Sequence, residues 1–368
     1  MITLVVSDLH LGARSGIDLL RGEPARGRLL EEAGRADEVI LLGDVVELRE
    51  GPMAEAMDIA RPWFEALGSV LGERRVVITP GNHDHRLLER WRERVSAAGD
   101  GPLGLEQLID PAQASDIATT IAGWLSPARL QIAYPGLWLA DGVYAIHGHY
   151  LDRHITVPAF EPLAVRSVER VLRARGDRLE GVEGYEAVLA PLYAALHEVA
   201  QSAPAPRGRS RPTATLSSRA YRLLAGDGSG PRPLHHRLVS GIAFPTVVGA
   251  LNAAGLGPLR ADLTGPELRR SSLRAMAEVL DRLAIDAQHV IFGHTHRAGP
   301  LPGDDSAEWL APGATRLHNC GSWVVERFLG GRTPERSPYR AGAAIRVESG
   351  RPTPVRHLLD GRAYAARA

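Results

Sequence analysis

Five short segments, far apart in the chain, bring together carboxylate, imidazole and amide donors: Asp8-Leu9-His10, Gly43-Asp44, Gly81-Asn82-His83-Asp84, His147-Gly148-His149 and Gly293-His294-Thr295-His296. Asp8 and His10, two residues apart, can reach one ion from a turning backbone. Asp44 has two oxygens and can bridge two cations, and Gly43 before it lets the backbone come close. Asn82 offers a neutral oxygen, and His147, His294 and His296 offer nitrogens. Such a mixed donor set suits manganese, taken here as the first choice, or iron, zinc or cobalt, better than calcium or thiolate-seeking metals. Two divalent ions held close together carry a bridging hydroxide at neutral pH and clamp a phosphoryl group for in-line displacement. His83 directly follows Asn82 and is the candidate catalytic residue, placed to steady developing charge and protonate a leaving oxygen. Asp84 would orient His83 or cap a helix starting near His85. Taken singly, each segment has an ordinary reading as a cap or turn; the weight comes from all five occurring together.

Each segment ends or directly follows an apolar, β-branched run, which places it at the C-terminal mouth of a buried strand, where α/β sheets put their chemistry. Leu4-Val5-Val6, Glu38 to Leu42, Arg75 to Thr79, Val143 to Ile146 and Gln288 to Phe292 are those strands. Helices are expected over Pro24 to Ala33, over Met53 to Leu71 with a kink at Pro62, and over His85 to Ala97. Alternating buried strands and helices indicate an α/β fold with a largely parallel sheet covered on both faces. Arg129 to Ala133 and Leu137 to Ala140 read as two shorter strands separated by a Pro135-Gly136 turn. Asn319 to Trp323, Ala343 to Val347 and Val355 to Leu359 suggest further strands, with a hairpin turn at Ser349-Gly350.

Between the fourth and fifth segments the pattern changes. Leu163 to Ala174, Ala187 to Val199 and Glu267 to Leu283 have helical spacing of apolar residues, and the stretch near 202–218 is rich in Pro, Arg, Ser and Ala, as in a mobile linker. Residues 151–285 are therefore read as a helical cap inserted into a core formed by 1–150 and 286–368. Leu238 to Leu259 is uncharged but contains Pro245, Asn252 and Pro258; a broken helical hairpin within the cap fits it better than an element dipping into a membrane.

With 43 Lys+Arg against 43 Asp+Glu the formal net charge is zero, which supplies little of the field that nucleic acid attracts, so no nucleic-acid partner is expected. Every basic residue is arginine. The single cysteine, Cys320, excludes an intrachain disulfide, and Met1 leads straight into the first strand. A cytoplasmic chain is expected, with peripheral contact at the inner membrane face through the cap as an option.

The five segments resemble the signature of the calcineurin-like metallophosphoesterase superfamily. The resemblance covers about 1–150 and 286–330, and not the cap. It implies a sandwich of two mixed β-sheets flanked by helices, with a two-metal centre at the strand ends. Carried over residue by residue, one metal would be held by Asp8, His10, Asp44 and His296, the other by Asp44, Asn82, His147 and His294, with His83 as the catalytic histidine. His149 would line the substrate pocket; His85 and Arg86 are further candidates to touch substrate. Asn319 and Gly321-Ser322-Trp323 resemble a segment that returns near the metals.

Ser7 to Leu11, Gly43 to Leu48 and Gly81 to Asp84 are similar to the UDP-2,3-diacylglucosamine pyrophosphohydrolase branch, which implies a lipid-linked nucleotide as substrate. The expected activity is hydrolysis of a phosphate ester or pyrophosphate by direct attack of a metal-bridging hydroxide, without a phosphoenzyme. The alternatives are a phosphomonoesterase or phosphodiesterase for a small soluble compound, and a non-catalytic scaffold.

Overall fold

A computed structural model describes residues 1–98, 103–156, 160–177, 179–202, 252, 265–325 and 337–359. In chain order it contains β1 (Ile2–Val6), α1 (Glu23–Gly34), β2 (Glu38–Leu41), α2 (Met53–Leu71), β3 (Arg75–Ile78), α3 (Glu89–Ala98), β4 (Glu106–Ile109), α4 (Pro111–Ala114), α5 (Asp116–Leu125), β5 (Arg129–Ala140) and β6 (Val143–Ile146). There follow α6 (Phe160–Ala174), α7 (Gly181–Ser202), α8 (Gly265–Arg282), β7 (His289–Phe292), β8 (Arg316–Asn319), β9 (Ala343–Glu348), β10 (Arg351–Pro352) and β11 (Arg356–His357). The strands form one curled path in the order β10-β9-β1-β2-β3-β5-β6-β7-β8, with β11 on β9 and β4 on β5.

Two mixed layers result, joined through β5. In the first, β1, β2, β3 and the start of β5 are parallel, and β9 runs antiparallel to β1. In the second, β6, β7 and β8 are parallel, and the end of β5 is antiparallel to β6. Pro135 does not break the strand. β5 is continuous where two strands with a turn were expected, because the ladder changes partner there: Arg129 to Ile132 pair with β3, and Gly136 to Ala140 pair with β6. A residue without an N–H is tolerated where a neighbour hands over.

The alternation of side chains along each strand sends one set between the layers and the other outward. Val5, Ile40, Val77, Ala133, Ala145, Ile291 and Ile345 fill the space between. The first layer's outer face packs Leu4, Val6 and Leu41 against Leu29 of α1, Trp63 and Phe64 of α2, and Ile121 of α5. The second packs Ile146, Val290 and Phe292 against Val188 of α7 and Met276 and Val279 of α8. This is the α/β sandwich with helices on both outer faces.

α2 runs through Pro62, and its Ala56, Ala60, Trp63, Phe64, Leu67 and Leu71 lie buried at spacings of three and four. Burying Trp63 and Phe64 contributes roughly 1.5–3 kcal/mol each, enough to offset what an interior proline costs. The expected helix from His85 begins as a short 3-10 turn, His85–Leu88, before α3. β4, α4 and α5 were not anticipated. The apolar runs at 163–174, 187–199 and 267–283 do form helices (α6, α7, α8). Beyond Ser202 the stretch expected as a linker lies outside the described residues, and so does the uncharged 238–259 stretch apart from residue 252.

Candidate metal centre

Four of the five donor segments leave their strands through left-handed backbone, and the Gly81-Asn82-His83-Asp84 segment does not. Among the described residues, the non-glycine residues with φ in the left-handed region are Asp8 (55°), His10 (44°), Asp44 (51°), Ala284, His294 (66°), His296 (58°), Ala314 and Ser349. Five of the eight are expected ligands. Left-handed backbone is strained for a residue with a Cβ, and such strain persists only where the surroundings over-determine it. Here they do. Asp8 N donates to Gly43 O (3.1 Å), His10 N to Asp44 O (2.8 Å) and Gly293 N to His147 O (2.8 Å), so neighbouring strand ends lace one another. Two glycines make room for close approach. A Cβ on Gly81 would strike Asp44 Oδ1 and the His147 ring, and one on Gly293 would strike Ser7 Oγ and Asp8 Oδ2.

The donors converge in two lobes. Asp8, His10 and His296 present atoms within 4.8 Å of one another, and so do Asp44, His147 and His294. His296 Nε2 lies 3.3 Å from Asp8 Oδ1 and 3.2 Å from His10 Nε2. His147 Nε2 lies 3.3 Å from Asp44 Oδ2, and His10 Nε2 lies 3.8 Å from the same oxygen. Asp44 thus stands between the lobes. A third grouping joins His10, Asp44 and His83. The Asn82 amide fits in two orientations. One sends its nitrogen to Asp44 Oδ2 and His294 Nδ1 (3.2 Å each) and its oxygen to Arg49 Nη1 (2.8 Å). The other turns its oxygen toward His147 Nε2 (3.4 Å), as ligation of a cation requires.

The ligand nitrogens are aimed by their neighbours. His147 Nδ1 bonds Leu42 O (2.9 Å), which leaves Nε2 to face Asp44. Glu47 Oε2 takes both His10 Nδ1 (2.9 Å) and His83 Nδ1 (2.6 Å), so Nε2 is the nitrogen each ring has left to turn to the site. Asp152 Oδ1 lies 2.9 Å from His294 Nε2, leaving Nδ1 for the Asp44 lobe. Sequence reasoning gave Glu47 and Asp152 no role. Glu47 had a signal in its position three residues after Asp44; Asp152 had none beyond following His149 by three.

Asp84 neither orients His83 nor caps the following helix. Its carboxylate accepts from Gly81 N (2.6 Å) and Val45 N (2.7 Å), tying the second and third donor loops together. Asn319 Nδ2 bonds Gly293 O (3.0 Å) and Thr295 Oγ1 (2.9 Å), and Trp323 N bonds Asp8 O (3.0 Å), so that segment buttresses the first and fifth loops.

The electrostatics favour positive charge. Burial alone would raise the pKa of Asp44, but the imidazoles of His147, His83 and His10 outweigh it and hold the carboxyl well below the ordinary range. Burial would lower His147, yet Asp44 and Asp8 push it up to about 9. Asp8 Oδ1 is buried and, although His296 Nε2 lies 3.3 Å away, has no hydrogen bond of good geometry among the described residues. A buried carboxylate oxygen without a donor is costly unless a cation satisfies it. The chemistry of the donors and this orphaned oxygen both fit divalent metal ions.

The expected substrate contacts fall elsewhere. His149 is 0% exposed, stacked on Tyr134 with ring centroids 6.2 Å apart, and does not line an open pocket. His85 is buried with Nε2 3.5 Å from Glu186 Oε2. Arg86 pairs with Glu89 at 2.6 Å. His149 and His85 lie two and three residues past the donors His147 and Asn82, where the backbone has already turned into the packing against Tyr193 of α7. Arg153 is 4% exposed and pairs with Glu169.

The calcineurin-like phosphoesterase family model matches residues 1–176. That span includes the first four donor segments and ends before Gly293 to His296. No curated protein matches the chain.

Proposed function

We propose that the chain is a metal-dependent phosphoesterase that hydrolyses a phosphate ester or pyrophosphate bond at a centre of two divalent cations. The observation that carries this reading is the place of Asp44, with Oδ2 3.3 Å from His147 and 3.8 Å from His10, between two groups of buried donors. Asp8, His10, Asp44 and His296 would hold one cation, and Asp44, Asn82, His147 and His294 the other; manganese is the first candidate. When bound, such a pair polarises phosphoryl oxygens and lowers the pKa of water into the working range.

The remaining roles belong to the side chains. With Nδ1 on Glu47, His83 can hold or release a proton only at Nε2, and its side chain is 25% exposed, so it faces incoming substrate. Protonation of the leaving oxygen from that atom is the general-acid step. Glu47 keeps His83 in register with His10 through one shared oxygen. Direct transfer to water is the step this reading assigns, and the Cys320 thiol takes no part in it: it is buried between the layers and pushed well up by burial and Asp8. The label from isotopic water should enter phosphate in a single turnover, and a trapped phosphoprotein would defeat the proposal.

Residues 151–285 serve in this reading as an insertion over a core of 1–150 and 286–368. Similarity of Ser7 to Leu11 and Gly43 to Leu48 to the diacylglucosamine pyrophosphohydrolase branch supports a lipid-linked nucleotide as substrate, with a small soluble phosphoester as the alternative. Among the described residues no helix is long and apolar enough to cross a membrane. Metal analysis with an aryl phosphate ester tests the chemistry, and dependence of turnover on detergent-dispersed lipid tests the substrate class. Two equivalents of metal with no turnover on a broad phosphoester panel would favour a binding scaffold instead.

A further inference from the structure

Of the described helices that follow the fourth donor segment, α6, α7 and α8 each fasten onto one short stretch, residues 149–156. Tyr150 donates to Glu186 of α7 (2.9 Å), and His154 Nε2 lies 2.7 Å from the hydroxyl of Tyr185, also of α7. Arg153 reaches Glu169 of α6 (2.9 Å) and Leu179 O (3.1 Å). Thr156 meets Ser271 of α8 through N (3.1 Å) and Oγ1 (2.9 Å). Within this stretch Asp152 alone turns to the metal centre, where Oδ1 lies 2.9 Å from His294 Nε2.

We propose that Asp152 is a positioning residue for one of the two cations, and that the inserted helices hold it in place. This rests on the two-cation reading above. An imidazole ligates through its unprotonated nitrogen, and which nitrogen that is depends on the partner of the other. His147 and His10 have their Nδ1 atoms engaged, by Leu42 O and Glu47, and so present Nε2. His294 must do the reverse, because its Nδ1 is the atom near Asn82 and the Asp44 lobe. A carboxylate at Nε2 keeps the proton there and stops the ring turning. Asp152 is 3% exposed, and its Oδ2 has no hydrogen bond among the described residues. The whole carboxylate is thus committed to one bond. The insertion therefore contributes to the metal centre through this turn, without itself supplying a ligand.

The test is zinc(II) titration of chelator-treated, full-length protein, wild type against Asp152→Ala and Asp152→Asn, followed by calorimetry and by ¹⁵N NMR of the histidine rings. The wild type is expected to bind two equivalents, with the His294 proton on Nε2. Asp152→Ala is expected to keep one equivalent at wild-type affinity and to bind the other roughly 10- to 100-fold more weakly, with both His294 tautomers present. Asp152→Asn folds with the same shape and should show the same selective loss at about tenfold. Unchanged affinity for both equivalents in the variants overturns the assignment. Equal weakening of both also overturns it, since a positioning role on one lobe predicts an unequal loss. A wild-type chain that binds no zinc defeats the two-cation reading itself.

Discussion

The two layers of the sandwich bring unlike chemistry to their shared edge. β1, β2 and β3 deliver oxygen donors, Asp8, Asp44 and Asn82, together with His10 and the supporting Glu47. β6 and β7 deliver imidazoles only, His147, His294 and His296. Neither set satisfies itself. On the first layer Asp8 Oδ1 is buried without a well-formed hydrogen bond among the described residues, and His147 of the second is drawn toward protonation by Asp44 and Asp8 across the gap. A cation placed between them resolves both problems, so metal should fasten one layer to the other as well as serve chemistry.

Removing the shared carboxylate is the sharpest way to break this arrangement. Asp44→Ala should lower turnover of an aryl phosphate by about 10³-fold or more, equivalent to roughly 4 kcal/mol, and reduce bound metal by mass spectrometry. Full metal content with undiminished turnover would refute a bridging role. His83→Ala separates chemistry from ligation. It should lose about 10²–10⁴-fold in kcat while both metal equivalents remain, as seen by steady-state kinetics beside metal analysis.

Metal removal tests the clamp directly. A cation at about 100 times its Kd adds about 2.7 kcal/mol to stability, so chelation should lower the melting temperature of the wild type and leave Asp44→Ala almost unmoved. The chelated protein should also respond to pH. His147 has a folded pKa of about 9 against an ordinary 6.5, so the stability it contributes is complete below 6.5 and fades as pH rises through 9. The depressed Asp44 acts in the opposite direction: its contribution is present above its ordinary 3.8 and is lost on acidification below that value. Chemical denaturation of the chelated form should therefore show stability falling between pH 6.5 and 9. With metal bound the histidines are neutral ligands, and a slope of the same size there would argue against the clamp.

The smallest effect is a control on one layer alone. Ser115 caps α5 by accepting from Ala118 N at 3.0 Å. Ser115→Ala should cost about 1 kcal/mol without altering metal affinity.

What could be foreseen follows the same division. Asp8, Asp44 and His294 were legible because rare donor types follow apolar runs that can only be buried strands, and residue type plus strand end fixes direction. Glu47 stood in plain view beside Asp44, but nothing local shows that its carboxylate reaches two histidines on other loops. Asp152 was invisible, since its partner lies 142 residues away. The continuity of β5 was missed because Pro135-Gly136 looks like a turn until the change of neighbour is known. β4 and α4 are four residues each, too short for either periodicity to register. His149 and His85 were assigned outward by proximity to donors, whereas the chain had already bent into the aromatic packing around Glu186.

Left-handed backbone at Asp8, His10, Asp44, His294 and His296 has a consequence for anyone wishing to rebuild this centre elsewhere. Grafting the same letters onto ideal strands would send the side chains alternately to the two faces of a sheet, and the donors would never meet. The transplant must carry the bends and the glycines beside them, because here the shape of the main chain is as much a part of the recipe as the side chains it bears.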